Sequence, residues 1–281
     1  MAQVSREVKR ILLQMLPAST RMRLLQRHPN LRKAAPHDLR FQFNEYLGDL
    51  KVNIDTRFKI ERIMWTGQFE PELLHLLGQW VGPDSICFDV GGNVGAVTLA
   101  IARAQRGGTG QVHTFEPAPA NYARLQANVA LNPDLAPRVK LVNCGVGRAA
   151  GSLRWTEESD NPGNGSLGTE GDIAVPVITL DSYCAERAIP FIDVMKVDVE
   201  GMEFDVLSGA TESLRRWKPK LYFETLSRFK TAGGKGNFEK IESLLVGLGY
   251  SLYRLDRDRR LVPADARHLA DYTIAMAEPA R

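Results

Sequence analysis

The sequence predicts an α/β protein in which helices cover both faces of a doubly wound, mostly parallel sheet of seven strands. From residue 85 onward, short apolar runs alternate with segments of helical periodicity, which is the pattern of strands joined by crossover helices. The chain of 281 residues is 44% hydrophobic and 25% charged, the composition of a globular protein that buries a sizeable core.

Ahead of this alternation we expect an N-terminal extension over residues 1–64, followed by a ligand-binding domain over residues 65–281. Apolar residues at helical spacing predict an amphipathic helix over residues 4–16, which ends before Pro17, and a second short helix over residues 19–27. These two helices are a candidate interface through which copies of the chain would form a homo-oligomer.

The segment between Phe41 and Met64 shows no clear period, and short strands or a hairpin are expected there. A helix follows over residues 67–80, with Pro71 in the first turn, where proline is tolerated. Further strands are expected at residues 85–90, 111–116, 139–146, 192–199, 220–225, 250–255 and 272–277, and helices at 94–105, 119–131, 181–188, 203–216 and 237–248.

Residues 151–180 interrupt the alternation of strands and helices. Two strand-like pieces, SLRW and AVPVITL, flank a polar, glycine-rich loop. The last two predicted strands are joined without a clear helix, which allows an antiparallel strand at one edge of the sheet.

Charge is unevenly placed along the chain. The net charge is +3, but residues 1–40 hold nine Lys or Arg against two acids. This basic segment is either a solvated helical appendage or a contact for a membrane surface, nucleic acid or an acidic partner. No run reaches the roughly 18 apolar residues of a membrane span, and the three cysteines lack metal-binding spacing. We therefore expect a cytoplasmic protein with free thiols and no membrane span.

The stretch ICFDVGGNVGAVTLAIA, residues 86–102, joins the first strand of the alternating region to its helix. Ligands of doubly wound sheets bind beyond the carboxyl ends of the strands, and glycines there let backbone approach a ligand. A dinucleotide fingerprint needs G-x-G-x-x-G in register, but here G-G-N-V-G is followed by Ala96. Asp89 would repel a pyrophosphate and attract an ammonium or sulfonium. The turn therefore favours S-adenosylmethionine over NAD.

A second acid, Glu116, ends the next predicted strand in the sequence FEP. The two oxygens of a carboxylate at this position can accept hydrogen bonds from both hydroxyls of a ribose. NAD enzymes use the same device, so Glu116 indicates a ribose without naming the cofactor. The alternative is a charge that only favours the N-terminus of the following helix.

Four segments together resemble the FkbM family of S-adenosylmethionine-dependent methyltransferases: FDVGGNVGAVTLAIA, HTFEPAPANYARLQANVALN, VITLDSY and IDVMKVDVEGMEFDVLSGA. KPKLYFE and GQFEPE fit the same pattern, so the resemblance covers residues 65–225. It implies a class I, Rossmann-like methyltransferase fold and, usually, O-methylation of hydroxyls on natural products, sugars or lipids. One departure is Gly92, where the family commonly has alanine.

The resemblance also implies a cofactor site built from residues at the carboxyl ends of the strands. Glu70, in the FEPE sequence, would reach the cofactor or the acceptor, or would only cap its helix. The methionine end would be shaped by Asp89, Gly91, Asn93 and Gly95, the ribose held by Glu116 and Pro117, and the adenine flanked by Asn143, Cys144 and Gly145.

Methyl transfer to a hydroxyl requires alignment, exclusion of water and a group that accepts the hydroxyl proton. Asp198 and Glu200 come at the carboxyl end of a predicted strand, and Lys196 shares the side-chain parity of Asp198, so a charge pair is expected. These three are the candidate catalytic residues. The alternatives are an ion-pair and capping network at the strand–helix junction, or a divalent-cation site, for which no further ligand is evident.

Three residues are candidate acceptor contacts: Asn164 and Ser166 in the polar loop, and Glu224 at the end of a predicted strand. Ordinary loop polarity explains Asn164 and Ser166 equally well. His113 lies inside a predicted strand, and we expect a satisfied sheet residue there rather than a base.

The sequence thus predicts transfer of a methyl group from S-adenosylmethionine to a hydroxyl of a small-molecule, sugar or glycan acceptor. An RNA or DNA methyltransferase is a competing hypothesis that the basic N-terminal segment would serve. Nucleic acid is not the expected partner, because the chain lacks a basic patch interleaved with aromatic residues near the proposed site. Two further hypotheses are a cofactor-binding protein without catalysis and an NAD-dependent dehydrogenase, and Asp89 argues against the dehydrogenase.

Overall fold

The computed structural model describes residues 12–13, 15–28, 39–157, 165–225, 234–256, 258–264 and 272–277. Within these ranges a central sheet of eight strands is flanked by helices, with a smaller four-stranded sheet beside it. The helices are α1 (Ala18–Arg27), α2 (Lys59–Thr66), α3 (Pro71–Trp80), α4 (Ala96–Ala104), α5 (Pro119–Ala130), α6 (Leu180–Glu186), α7 (Glu203–Ser208), α8 (Thr211–Trp217) and α9 (Gly234–Gly247).

The strands follow the same chain-order numbering. They are β1 (Arg40–Tyr46), β2 (Leu50–Asp55), β3 (Ile86–Val90), β4 (Gln111–Phe115), β5 (Val139–Val142), β6 (Gly145–Val146), β7 (Gly151–Glu157), β8 (Gly165–Gly168), β9 (Ile173–Ile178), β10 (Val194–Val197), β11 (Lys220–Glu224), β12 (Tyr250–Leu255), β13 (Leu261–Pro263) and β14 (Tyr272–Ala277).

The central sheet has the order β13-β12-β14-β11-β10-β3-β4-β5. Strands β3, β4, β5, β10 and β11 are parallel, and β14 inserts antiparallel between β11 and β12. The chain runs outward from β3 through β4 to β5 and then returns to β10 on the other side of β3. This reversal opens a crevice at the carboxyl ends of β3 and β10, where doubly wound sheets bind ligands. The predicted fold class is confirmed.

Alternating side chains of the central strands feed two separate core layers. Cys87 packs in a layer with α4 and α5, whereas its neighbour Phe88 packs in the opposite layer with α7 to α9. Burial of both faces explains why the parallel strands are continuous apolar runs in the sequence rather than alternating ones.

The predicted hairpin in the N-terminal region is confirmed, since β1 and β2 pair antiparallel. Val52 and Ile54 of this hairpin belong to the same core cluster as Leu99 and Leu125 of the main domain. The domain boundary at residue 64 stays a prediction. The predicted helix over 19–27 is present as α1, whereas most of the predicted helix over 4–16, and with it the proposed oligomer contact, lies outside the described residues.

The structure differs from the predicted elements at several places. Helix α2 begins at Lys59, inside the segment where only strands or a hairpin are predicted, and the strand predicted over 139–146 is two strands, β5 and β6, which belong to different sheets. The central sheet has an eighth strand, because the short β13 pairs with β12 at the sheet edge. The predicted helix over 203–216 is two helices, α7 and α8, since Gly209 lies against the backbone of Gly147, where a Cβ atom would stand 2.1 Å from the carbonyl oxygen. Among the described helices none is long and apolar enough to cross a bilayer.

Candidate active site

A cavity of about 590 Å³ opens at the carboxyl ends of β3, β4, β10 and β11. Its position is the switch point of strand order, and its volume is that of a site for a cofactor together with a small substrate. The cavity has two ends that differ chemically. One is walled by apolar side chains around Cys144, and the other by carboxyl groups around Asp198.

The glycine turn after β3 packs against the protein itself. Gly91 has a φ of +85°, and a Cβ atom there would stand 1.9 Å from the carbonyl oxygen of Asp198. Gly95 has a φ of +91°, and a Cβ atom there would stand 2.6 Å from Leu125. The glycines therefore let β10 and α5 approach the turn, whereas the sequence pattern predicts only that they make room for a ligand.

Asp89 lies behind the cavity wall and is fully buried. Its carboxylate accepts a hydrogen bond of 2.7 Å from Thr98 Oγ1 and lies 3.3 Å from Lys196 Nζ. The ammonium of Lys196 thus already occupies the position next to Asp89 where the sequence predicts the cation of a ligand. A direct role of Asp89 toward a cofactor stays a prediction.

Lys196 connects the turn to the carboxyl end of β10. Its ammonium donates a hydrogen bond of 2.7 Å to the carbonyl oxygen of Gly91 and lies 3.7 Å from Asp198 Oδ2, which confirms the predicted charge pair. Burial alone would lower the pKa of Lys196, but the carboxylates of Asp89 and Asp198 outweigh it and raise that pKa above its ordinary value. Lys196 is therefore a fixed positive charge rather than a proton acceptor.

Glu116 directly follows β4, and its side chain lines the cavity. Its two carboxylate oxygens accept backbone N–H groups, Oε1 from Ala118 at 2.9 Å and Oε2 from Asn93 at 2.7 Å. Burial raises the pKa of Glu116 to about 7, although these two N–H groups lower it. The carboxylate is thus held in one orientation, with lone pairs left over for a ligand.

The turn after β5 supports this position. The Asn143 side-chain amide donates to the carbonyl oxygens of Glu116 and Pro117, at 2.8 and 3.2 Å. Asn143 does not itself line the cavity, whereas Cys144 and Gly145 do.

The apolar end of the cavity includes residues from the four-stranded sheet. Trp155 on β7 and Leu167 on β8 line the cavity, as does Phe115 at the end of β4. Trp155 is 9% exposed, so its ring is part of the cavity wall rather than of the surface. A flat, apolar group such as a purine fits between such walls.

Carboxyl groups gather at the opposite end of the cavity. Asp198 and Glu200 follow β10, and Glu224 ends the neighbouring β11. Glu70 reaches the same end from the start of α3 and accepts a hydrogen bond of 3.1 Å from the hydroxyl of Tyr272 on β14. Burial, and then the charge of Asp198, raises the pKa of Glu70 above its ordinary value.

Glu224 is the most perturbed acid of this group. It is 6% exposed and forms a side-chain hydrogen bond with Asp198. Burial, together with the charges of Asp198 and Glu200, raises its pKa far above the ordinary range of a carboxyl group. Glu224 is thus a neutral carboxylic acid near pH 7, and it can supply the proton of its hydrogen bond to Asp198.

Several lining residues adopt a backbone conformation that is rare for residues other than glycine. Glu70, Asn93 and Glu200 have φ angles of +38°, +47° and +55°. Such positions cost about 1–3 kcal/mol each and persist where the surrounding structure fixes them. Their side chains are therefore held at the cavity by the chain on both sides.

The structure brings most of the predicted site residues to one cavity. Asp89, Gly95 and Asn143 stand behind its wall, Asn164 lies outside the described residues, and the side chain of Ser166 is not described. Sequence reasoning missed Trp155 and Tyr272, because nothing local in the sequence indicates that a second sheet and the antiparallel strand β14 reach the site. It also missed Tyr222, although this residue lies two positions before Glu224 on β11 and therefore on the same face of the strand. The lining residues among those predicted are Glu70, Gly91, Asn93, Glu116, Pro117, Cys144, Gly145, Lys196, Asp198, Glu200 and Glu224.

His113 and the cysteines lie outside this arrangement. His113 Nδ1 hydrogen-bonds the Tyr183 hydroxyl at 2.8 Å inside the core, whereas no partner among the described residues reaches its buried Nε2, so the expected satisfied sheet residue is confirmed at one nitrogen only. The three cysteines are free and buried.

Comparison with known proteins gives a consistent result. The model of the "Methyltransferase FkbM domain" matches residues 89–252, more than half of the chain. "Hexuronic acid methyltransferase AglP" of Haloferax volcanii is 30% identical over 149 residues, which cover 52% of this chain and 58% of that protein. "31-O-demethyl-FK506 methyltransferase FkbM" of Streptomyces tacrolimicus is 32% identical over 164 residues, covering 47% of this chain and 61% of that protein. Both matches span less than two thirds of the relative's own length.

One solved structure extends the comparison to the fold. A crystal structure of "Methyltransferase FkbM" from Methylobacillus flagellatus KT is 17% identical, with a TM-score of 0.50, and the match covers 77% of this chain and 52% of that one. At this identity the likeness concerns the fold alone.

Proposed function

This chain belongs to the FkbM methyltransferase family, and from that premise we propose that it transfers a methyl group from S-adenosylmethionine to a hydroxyl oxygen. The observation that carries the proposal is one cavity that joins the ribose-type carboxylate of Glu116 to the carboxylate of Asp198. The relatives whose names specify a reaction, the hexuronic acid and FK506 methyltransferases, support a sugar or natural-product acceptor.

The residues present fit S-adenosylmethionine. Glu116 offers two oriented oxygens for the ribose hydroxyls, and the walls formed by Cys144, Trp155 and Leu167 suit the adenine. The methionine end falls at Gly91 and Asn93, beside the acids at the end of β10, where a positively charged group is favoured. When bound, S-adenosylmethionine supplies an electrophilic methyl group on a sulfonium.

The residues at the acidic end supply the rest of the chemistry. Asp198 is 27% exposed at the cavity and can accept the acceptor's hydroxyl proton as the oxygen–methyl bond forms. Lys196 holds Asp198 in place and does not itself take the proton. The buried walls of the cavity exclude water, which would otherwise compete as an acceptor.

The cellular compartment and the roles of the N-terminal segment are also proposals. The free, buried thiols support a reducing compartment such as the cytoplasm. Association through the N-terminal helices stays a prediction, as does the role of the basic N-terminal segment.

A labelled-methyl assay tests the proposed function. The protein is incubated with methyl-labelled S-adenosylmethionine and a panel of sugars and hydroxylated natural products, and the product is located by mass spectrometry and NMR. Label on a hydroxyl oxygen supports the proposal. Label only on nitrogen or carbon of the same acceptors contradicts it.

A further inference from the structure

The cavity contains more carboxyl groups than the proposed methyl transfer requires. Among the described residues that line the cavity, seven are acidic and two, Lys59 and Lys196, are basic. Lys59 is exposed at the cavity rim, and Lys196 is already engaged by Asp89 and Asp198. S-adenosylmethionine carries one net positive charge, which leaves an excess of acid.

Within the described part of the chain, one carboxyl group at this end has an oxygen without a hydrogen-bond donor. Glu224 is buried and faces the cavity, yet among the described residues no donor reaches its Oε2. A buried acceptor without a donor destabilises the free protein. A ligand that brings donors would satisfy this oxygen.

Within the described ranges, no set of three His, Cys, Asp or Glu side chains is arranged to hold a metal ion. The same end of the cavity is instead lined by two tyrosines, Tyr222 and Tyr272, whose rings stack with centroids 4.9 Å apart. Aromatic rings beside carboxylates recognise an organic ammonium, because both attract a cation and the ring tolerates its hydrocarbon neighbours.

We propose that the acceptor hydroxyl belongs to a molecule that also carries a protonated amine, such as an amino sugar, whose ammonium binds Glu224, Glu70 and the Tyr222–Tyr272 rings. This inference rests on the proposed methyl transfer and specifies the substrate class of the same site. An ammonium has three N–H donors and one positive charge, and it would supply the donor that Glu224 Oε2 does not receive from the described residues. A uronic acid acceptor would be repelled by the same carboxyls.

Binding of this ammonium should displace the proton of the Glu224 carboxyl group. In the free cavity, Glu224 holds a proton against the charges of Asp198, Glu200 and Glu203. A cation placed beside Glu224 favours its ionised form, so the carboxyl group releases its proton. Tyr272 and Glu70 face the same space, and the Tyr272 hydroxyl keeps its proton and its hydrogen bond to the Glu70 carboxylate. Lys196 remains paired with Asp198.

Calorimetric titration of matched compounds tests the proposal. The protein, saturated with S-adenosylhomocysteine in amine-free buffer near neutral pH, is titrated with methyl glycosides of glucosamine, N-acetylglucosamine and glucuronic acid. Ethanolamine, N-acetylethanolamine and glycolate repeat the comparison without a sugar ring. We expect each amine to bind at least about tenfold more tightly than its acetamide, the equivalent of one charge-assisted hydrogen bond. Equal affinities, tighter binding of the acids, or no binding of either amine overturns the proposal.

Variants assign the cation site to Glu224 and Glu70. Glu224→Gln and Glu70→Gln should each remove most of the preference for the amine, and Glu224→Gln should also abolish the proton release measured in buffers of different ionisation enthalpy. The matched control is Glu212→Gln, which changes an exposed acid outside the cavity. This variant should keep both the preference for the amine and the proton release. Circular dichroism identifies a variant that does not fold, and the second variant then decides.

Titration with S-adenosylhomocysteine distinguishes a failure of the proposed methyl transfer from a failure of the proposed amine site. S-adenosylhomocysteine carries the same ammonium as the methyl donor, so weaker binding of this compound to Glu224→Gln would assign the carboxyls to the cofactor and overturn the inference. If wild-type protein does not bind S-adenosylhomocysteine, the proposed function fails. The amine titration without it then still tests the cation site.

Discussion

The Glu116 carboxylate accepts a hydrogen bond of 2.7 Å from the backbone N–H of Asn93 and thereby connects the end of β4 to the turn after β3. The second carboxylate oxygen accepts the N–H of Ala118 at the start of α5. One buried acid thus orients the turn, the strand end and the helix start around the place proposed for the ribose. Its protonation state therefore bears on cofactor affinity.

Cofactor affinity should depend on pH through Glu116. Its pKa of about 7 means that the carboxyl is protonated in acid, and the protonated form is the poorer acceptor for ribose hydroxyls. We expect the affinity for S-adenosylhomocysteine to fall with decreasing pH, by up to about tenfold per pH unit below pH 7, and to level off above it. Calorimetry across this range measures the slope.

The slope should belong to Glu116 alone. Glu116→Gln is expected to bind more weakly at high pH and to lose the dependence, while Glu212→Gln keeps the wild-type profile. A Glu116→Gln protein with an unchanged slope would assign the titration to another group.

Gly92 and Thr114 should be energetically coupled. A Cβ atom at Gly92 would stand 2.2 Å from Thr114 Cγ2, so Gly92→Ala should destabilise the fold by about 1–3 kcal/mol. Thr114→Ser removes that methyl group and keeps the hydroxyl, which donates to Thr98 Oγ1 at 3.2 Å. The double variant should therefore lose less unfolding free energy than the two single variants lose together. Urea denaturation measures all four proteins, and additive effects would refute the steric account.

Lys196 should be essential for stability. Lys196→Met leaves the buried carboxylate of Asp89 without its ion pair, and breaking such a pair costs about 3–5 kcal/mol of unfolding free energy. Adding Asp89→Asn should recover part of this loss, because the unpaired charge is removed. Lys220→Met changes an exposed lysine on the neighbouring strand β11 and should cost at most about 0.5 kcal/mol. Equal losses for the two lysines would contradict the network.

Asp198 should matter for turnover rather than for cofactor binding. Asp198→Asn keeps the size of the side chain but not its ability to accept a proton, and kcat is expected to fall by about 100-fold or more. The affinity for S-adenosylhomocysteine should fall far less than kcat, because the other carboxyl groups near the methionine end remain. Asp205→Asn, which changes an acid of α7 outside the cavity, is the control. Unchanged kcat in Asp198→Asn would assign this residue to structure.

The parallel part of the sheet was predictable because it depends on local patterns. Each buried strand is a short apolar run between turn residues, and the helices show their own period, so the alternation is visible without knowing any contact. The break between α7 and α8 is different, since it depends on Gly209 meeting Gly147 from a distant segment. The short strand β13 forms by pairing with β12 and has no marked pattern of its own.

The candidate site shows the same division. Glu116 and Glu224 were found because acids at the ends of parallel strands meet at one edge of the sheet. The sequence did not reveal that Lys196 on the neighbouring strand β10 is the ion-pair partner of Asp89, because a sequence does not show whether a charge is already paired. Tyr272 reaches Glu70 from a strand some 200 residues later in the chain, an antiparallel insertion that only the assembled sheet displays.

The most direct test of the proposed cofactor site is calorimetric titration of the wild-type protein with S-adenosylhomocysteine and, separately, with NAD. The geometry around Glu116 and the apolar wall at Trp155 predict binding of S-adenosylhomocysteine at one site per chain. The carboxyl groups of Asp198 and Glu200, which line the same cavity, would repel a pyrophosphate and therefore predict no binding of NAD. Binding of NAD without binding of S-adenosylhomocysteine would contradict this assignment.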